Sequence, residues 1–524
     1  MGLQLITGYP SSWKAPFVAA EILFAQGASS AAAGRRDAHY CVPKTASGTW
    51  VVNTTYLVAN EQEAVQGGGA GSMAHRVVRM HLRANPGSKV YVTVYDASSG
   101  AGVATATGTI TVAGAPTAAG QFRVWVCGEK IDTNFTTSST ATTIAADLVA
   151  KINAKTFLPL TASNVAGVIT LTAKHAGASQ GDGTVGIHRF RAEADPGKGI
   201  TTPVAVSGAA LGLGTGTPGV DGATTELANL TAALATIANT RFYYQGFTVW
   251  NSTDTAVIET HIATKSQPSP GLRSTGWSGY TGTLANCSTL AIARNAERHH
   301  VVWQKNSEHD VAELVANTIA VVQKHEEVEP AFPGFDRYRR SDWLIQPAYA
   351  NADWPSDIDE NDAVTDGIIP IRSDQSGSYI GMMVNTRSKD AAGTLDDFRA
   401  TERHRVSVMD FITDTMVLQF VLTYISVGFK LSDDIKNADG TVNVNRTNEL
   451  GPKTLTPLRF RPWLNARFED FGRQELLQNV QFWKDSARIN IDPQNSSRLE
   501  VGASGRTIDI LHQASFKLSE TSPG

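Results

Sequence analysis

The stretch TTELANLTAALATIAN, residues 224–239, opens the part of the chain that decides its fold. Leu227, Leu230, Leu234 and Ile237 recur at three- and four-residue steps, the spacing of a buried helical stripe. The apolar run FTVW (247–250) predicts a strand. A second helical pattern follows through Val257, Ile258 and Ile262, and after a Pro/Gly-rich loop a third covers residues 282–295. The strand 300–303 then closes the set. Helix and strand alternate as in an open sheet covered by helices. Such sheets bind ligands on glycine-rich turns at the carboxyl ends of their strands, and no such turn follows the strands of this stretch. The α/β core reads as a scaffold.

At 524 residues the chain exceeds a single hydrophobic core. Its 42% hydrophobic and 18% charged residues are a globular balance, and a net charge of −4 gives no basic excess for a nucleic-acid partner. The basic runs Arg337, Arg339, Arg340 and Arg459, Arg461 are interrupted by aromatics or proline and read as solvated faces. Three distant cysteines, Cys41, Cys127 and Cys287, predict neither a disulfide framework nor a zinc knuckle and fit a reducing cytoplasm. The first residues lack the pattern of a signal peptide, and no apolar run reaches the ~20 residues of a membrane span. Folding in a cytoplasm without membrane insertion is the expectation.

Outward from the core, residues 1–40 hold one strand candidate, 17–26, between flexible flanks. A lone strand requires a sheet elsewhere, in this chain or in another copy. Residues 41–96 begin the core: a strand at 56–58, the glycine cluster GGGAG, a helix 73–83 capped by Ser72, and an alternating strand 89–96. Residues 97–221 read as an inserted β-rich domain with strands at 108–113, 121–128, 168–173 and 187–193 and one helix, 141–154. Residues 204–221 read as a low-complexity return linker. The core continues over 222–345, where Ser307 is the expected N-cap and Asp310 the N3 residue of a helix with Val311, Val315, Ile319 and Val322 on its buried stripe. Residues 346–505 form a C-terminal domain: irregular and acidic at first apart from a strand 378–386, then a long helix 402–426 carrying Met409, Ile412, Met416, Phe420 and Tyr424, then a helix 474–487. Strand candidates at 506–511 and 514–518 end the chain. The fold class is therefore multidomain α/β and α+β, an α/β core with a β-rich insert and strand arms at both ends.

Chemical motifs fail on inspection. Gly214, Gly216 and Gly219 spell G-x-G-x-x-G, but inside a Gly/Thr linker that contains Pro218. Asp357, Asp359 and Asn361 have calcium-loop spacing, yet Asp362 replaces the required glycine and Ile368 the bidentate carboxylate. His299, His300, His309 and His325 form no H-E-x-x-H pair. No nucleophile elbow or P-loop occurs. No catalytic residue, cofactor or metal is expected, and the reading is not an enzyme.

Several segments carry a resemblance: YPSSWKAPFVAAEI (9–22), the run from EQEAVQGGGAGSM to VYVTVYD (61–96), residues 102–131 and 142–182, DGIIPIRSDQSGSYIGMMVNTRS (366–388) and QASFKLSE (513–520). In this order they resemble the contractile tail sheath proteins of Mu-like bacteriophages. Residues 40–55 and the loops around 330–366 depart from that pattern.

The resemblance implies a homo-oligomer of sixfold rings or a helical polymer around a tail tube protein, joined to baseplate and tail terminator or neck proteins. It would stand in the virion tail after assembly in the host cytoplasm. The subunits would assemble in a metastable extended state and contract to drive the tube through the host envelope for genome ejection. It further implies inter-subunit strand arms with Ala19, Glu21, Leu23 and Phe24 at one end and Ile508, Ile510, Phe516 and Lys517 at the other. A tube-facing surface with Arg473, Glu475 and Lys484 follows from the same likeness. An R-type bacteriocin, a type VI secretion system or an extracellular injection system would use the same subunit design. A β-rich adhesin is the reading from another class, and it predicts secretion.

Overall fold

The computed structural model describes residues 36–177, 190–194, 204–206, 209–213, 217–248, 252–268, 271–327, 343–348, 351–374, 376–389 and 402–509. The chain divides into two compact units, Arg35–Arg403 and a second whose described residues are 404–509.

The first unit is built on an eight-stranded sheet. In chain order its strands are β1 (Ala38–Lys44), β2 (Thr54–Val58) and β3 (Val90–Asp96), with α1 (Glu61–Gly68) and α2 (Met73–Ala84) between the last two. After the insert come α4 (Glu226–Thr236), β12 (Tyr244–Phe247), α5 (Ser252–Ser266), β13 (Thr275–Tyr280), α6 (Leu284–Arg294), β14 (His299–Trp303), α7 (Val311–Glu326), α8 (Asp357–Thr365), β15 (Ile369–Asp374) and β16 (Gly377–Ile380). The spatial order is β16-β15-β14-β13-β12-β1-β3-β2, parallel throughout except for the antiparallel edges β16 and β2.

Period-two alternation sorts β1 between two helical layers. Ala38, Tyr40 and Val42 join a core with Val77, Val78, Leu314, Val315 and Ile319 of α2 and α7. Cys41 joins the opposite core with Leu230 and Leu234 of α4 and Ile258 and Ile262 of α5. A sheet covered on both faces buries both sides of its strands, and all five residues of β14 are buried, its two histidines included.

Strand β1 runs across the arm–core boundary expected at 40/41, and the sheet takes in β15 and β16, beyond the boundary expected at 345/346. The strand expected at 247–250 lies three residues earlier, as β12; residues 249–250 fall outside the described set. The expected strand 378–386 is the shorter β16. Asp310, not Ser307, caps α7, its side chain accepting the Glu313 N–H; the Ser307 hydroxyl accepts from the His309 N–H instead. The acidic stretch after 356 is α8, where Ser356 and Asp359 form a capping box and Arg372 pairs with Asp357 and Glu360. Acidic residues suit a helix N-terminus, which accounts for the apparent calcium-loop spacing.

The insert has its own core. Strands β4 (Thr105–Gly114), β5 (Gly120–Val126), β6 (Glu129–Phe135), β7 (Leu160–Val165) and β8 (Val168–Ala176), helix α3 (Ala141–Ala154), and β9 (Phe190–Ala194), β10 (Val204–Val206) and β11 (Ala209–Leu213) make sheets of order β10-β11-β4-β8-β7 and β9-β5-β6. Ile144, Leu148 and Ile152 of α3 pack with Ile110, Phe122, Ile169 and Leu171. The stretch expected as a linker over 204–221 thus contains two strands, and Thr217, Val220 and Thr224 bridge back to Thr107, Ala104 and Ser99. Repeated Gly, Ala and Thr hide strands, because composition of that kind has no apolar alternation.

The second unit begins within α9 (Arg403–Phe420), which continues as a π-helical turn, Val421–Ile425, and is followed by the short helix α10 (Val444–Asn448). Phe420 and Tyr424 pack on Phe460 and Trp463 of α11 (Pro457–Arg473), with ring centroids 5.7 Å apart for Phe420–Phe460 and 5.1 Å for Phe460–Trp463. Residues Arg403–Ile425 are long and apolar enough to cross a membrane by length and composition, contrary to the expectation that no segment reaches that length. Asp410 and Asp414 on that helix are buried, with Ser407, Thr413 and Thr415 beside them. A buried face of this polarity requires protein partners rather than lipid.

Candidate functional site

The crossovers place a switch point in the sheet. From β1 the chain moves to β3 on one side, then returns through the insert and α4 to β12 on the other. The crevice between the carboxyl ends of β1 and β12 is where sheets of this topology bind ligands. A glycine-rich turn does lie there, in the segment 67–71 rather than after the strands of 224–303. The Thr45 N–H donates to the Gly68 carbonyl over 3.0 Å and the Trp50 N–H to that of Gly67 over 2.9 Å, holding the turn against the end of β1. Gly69 and Gly71 have positive φ, 91° and 75°, and Ser72 caps α2, whose N-terminus is suited to an anion.

The insert fills this cradle. A Cβ on Gly71 would stand 2.2 Å from the Leu158 carbonyl oxygen and 2.3 Å from Lys174 Nζ. His175 Nε2 accepts the Met73 N–H at 3.0 Å, and His75 Nδ1 accepts that of Gly71 at 2.9 Å. The Ser72 hydroxyl takes the His75 N–H, and Lys174 Nζ donates to the carbonyls of Ala70 and Thr156 at 2.9 and 2.8 Å. An acceptor at Nε2 requires a neutral imidazole. Burial, aided by Arg76 and Lys174, lowers the His175 pKa to about 3, which keeps it so. The amides of Gly71, Met73 and His75, which face an anion site at such a turn, are thus already bonded. Replacing His175 by alanine leaves the buried Met73 N–H without an acceptor and is expected to cost about 1–3 kcal/mol, read as a shift of the denaturant midpoint of the first unit.

Charged groups strap the insert to the same helix. Arg79 lies 3.9 Å from Glu129, which Lys155 binds at 2.7 Å, and its guanidinium stands 3.7 Å above the Phe157 ring. Glu61 holds His75 at 3.1 Å and Arg79 at 3.4 Å. One turn away, buried Arg76 pairs with Asp310 and lies 3.5 Å from Glu313. Burial pushes the Glu313 carboxyl up, but Arg76 and the His309 bond outweigh it and hold it well below the usual range.

His299 Nε2 lies 2.9 Å from the Ser278 hydroxyl and its Nδ1 is 3.6 Å from Glu259, an order reminiscent of a nucleophile, base and acid. Ser278 is, however, fully buried within β13. His300 Nδ1–H donates to the Val384 carbonyl oxygen at 3.0 Å, and His309 meets Glu313 at 2.9 Å. Among the described residues no group of three or more His, Cys, Asp and Glu is arranged for a metal ion. Gly214 and Gly216 of the apparent dinucleotide motif lie outside the described residues; Gly219 is packed on the Gly177 carbonyl.

Of the residues expected in arms, Ala19, Glu21, Leu23, Phe24, Ile510, Phe516 and Lys517 lie outside the described residues. Ile508 is half-buried, and its N–H donates to the Leu476 carbonyl at 3.2 Å, next to the antiparallel pairing of Arg506–Thr507 with Leu477–Gln478. The helix expected at 474–487 is interrupted. Helix α11 ends at Arg473, Glu475 takes a left-handed φ of 56°, and Asn479, with φ 45°, caps a new helix, Val480–Ser486. Asparagine tolerates that conformation and its side chain accepts the Phe482 N–H, so a fresh helix starts there. Arg473 pairs with Asp470, Lys484 binds Glu469 at 2.5 Å, and Glu475 is exposed, so all three charges stand around the last turn of α11.

No family model matches the sequence, and no curated protein does. Solved structures do. A sheath tail protein from Desulfitobacterium hafniense matches over 95% of this chain and 97% of its own at 11% identity and a TM-score of 0.46. A sheath tail protein from Listeria innocua covers 92% and 94% at 12% identity and 0.45. The helical sheath of the anti-feeding prophage in its contracted state covers 97% and 99% at 9% identity and 0.39. All three are sheath proteins. With every TM-score below 0.5, nothing is carried over from them to this chain.

Proposed function

We propose that this chain is the subunit of a contractile sheath, one that polymerises around an inner tail tube in a metastable extended state and shortens to drive the tube through a host envelope. The observation that carries this reading is the collinear resemblance of six sequence segments, from residue 9 to residue 520, to the tail sheath family. The filled cradle agrees with it: the crevice that would serve an enzyme of this topology is spent on holding the insert. A sheath subunit has no chemistry to perform. Its work is the difference between two packings of the same bodies, and a heterologous contact that does not close within one ring produces an open helical array.

In this reading residues around 19–24 and 510–517 lend strands to neighbouring copies, giving main-chain hydrogen bonds that persist while the bodies rotate. Arg473, Glu475 and Lys484 face the tube, the insert faces outward, and baseplate and terminator proteins bind the two ends of the polymer. The polymer belongs to a phage virion, a Mu-like tail, with genome ejection as the outcome.

Deletion of residues 1–26 tests the arms. The truncated chain is expected to fold with an unchanged circular dichroism spectrum and to remain in the supernatant on ultracentrifugation, where the full chain pellets as polymer. A truncated chain that pellets like the full one would sink the arm assignment.

A further inference from the structure

The first and last described stretches of the larger unit converge on one carboxylate. Glu326 is the final residue of α7, and its side chain is wholly buried. Arg36 Nη1 lies 2.5 Å from Glu326 Oε2. Arg403 Nη1 pairs with Oε1, and Nη2 lies 3.1 Å from Oε2. The Tyr244 hydroxyl donates to Oε2 over 2.6 Å. Arg36 is the first described residue before β1, and Arg403 is the last residue of the unit. Chain segments separated by the whole unit are therefore tied to the same carboxylate.

Each arginine is fixed beyond its ion pair. The Arg36 carbonyl accepts from Gln323 Nε2 at 3.0 Å, and its guanidinium lies 4.8 Å from the Tyr243 ring centre. The Arg403 N–H donates to the Met383 carbonyl at 3.1 Å, and its guanidinium stands 5.1 Å from the Trp277 ring centre and 5.8 Å from that of Tyr244. A buried carboxylate is retained only with charged partners and hydrogen bonds, and removing one leaves the others uncompensated. Planar guanidinium groups meeting a carboxylate also fix direction as well as distance.

We propose that Glu326 is a common anchor, holding the point where the chain enters the larger unit at Arg36 and the point where it leaves at Arg403. A displacement of the segment before Arg36 is then felt at Arg403, and the reverse. For the sheath role this means that tension on either end of the chain is delivered to one site at the end of α7. Only the source of that tension rests on the proposed function; the coupling is a property of the single chain.

Hydrogen exchange on the full chain, kept dilute as monomer, tests it with Tyr244→Phe and Glu326→Gln. Tyr244→Phe removes one bond to the carboxylate and leaves both ion pairs. It is expected to raise exchange at residues 37–38 and at 402–406 together, by about threefold, with the amides of α2 unchanged. Glu326→Gln is expected to raise both by tenfold or more. A response at one segment alone, or at neither, would overturn the anchor. If Glu326→Gln does not fold, Tyr244→Phe decides by itself. Joint loosening in a chain that never polymerises would leave the anchor standing and remove the sheath reading.

Discussion

Truncating Trp277 to alanine is expected to destabilise the larger unit by about 3–5 kcal/mol. Trp277 is fully buried at the centre of β13 in the core shared with α2 and α7. Its indole N–H donates to the Thr275 hydroxyl at 3.1 Å, and its ring lies 4.4 Å from that of His300 and 5.1 Å from the Arg403 guanidinium. Alanine would open a cavity and also expose a buried cation to it, so relaxation of the surroundings is limited. Against a total stability on the order of 5–15 kcal/mol this is a large share. Guanidinium unfolding followed by circular dichroism measures it. A loss under about 1.5 kcal/mol would mean that Trp277 is not packed as described.

Acidification is expected to have an effect of similar size. Burial lowers His81 to about 3 and His175 to about 3, and burial with Lys265 lowers His261 to about 4. The same cause lowers His39 and His300 well below the usual value. These rings are neutral in the folded chain, whereas in the unfolded chain they titrate near ~6.5. Above that pH neither state binds the proton and the groups contribute nothing to the slope. Below it only the unfolded chain takes protons up, so stability falls with pH, by ~1.4 kcal/mol per unit for each histidine. For His81, His175 and His261 together the loss between pH 7.5 and 5.5 is about 4 kcal/mol. Glu313, with its carboxyl held low, adds to the loss only at still lower pH. Denaturant midpoints at the two pH values check the sign, and an unchanged midpoint would contradict the buried, neutral assignment.

Periodicity made some of this fold legible and concealed the rest. Helices α2, α4, α6 and α7 are read directly, because each lays a stripe of aliphatic residues on the sheet. Strand β13, TGWSGY, looks like a loop. It carries glycine because Ile258 and Ile262 of α5 press on Gly276 from one layer, and Val311 and Val315 of α7 on Gly279 from the other. Strand β1, AHYCVPK, is hidden by the opposite means. Its Pro43 and the polar His39 argue against a central strand, yet His39 Nε2 is bonded to the Thr93 hydroxyl at 2.7 Å on the neighbouring strand. Nothing local announces a partner fifty residues away.

The filled cradle was half legible. The glycines and the Ser72 cap are evident in the sequence, whereas Lys174 and His175, which close the site, lie about a hundred residues on and belong to another domain. The same holds for Glu326, whose partners Arg36 and Arg403 come from opposite ends of the unit. Long-range polar contacts have no period, and only the folded chain brings them together. The helix expected at 474–487 shrinks to Val480–Ser486 because Glu475 and Asn479 take left-handed conformations that composition does not reveal.

Negative-stain electron microscopy of the full chain over rising concentration tests the central claim most directly. A sheath subunit is expected to form hollow tubes of uniform diameter, without any other protein present. A monodisperse monomer at every concentration would contradict it.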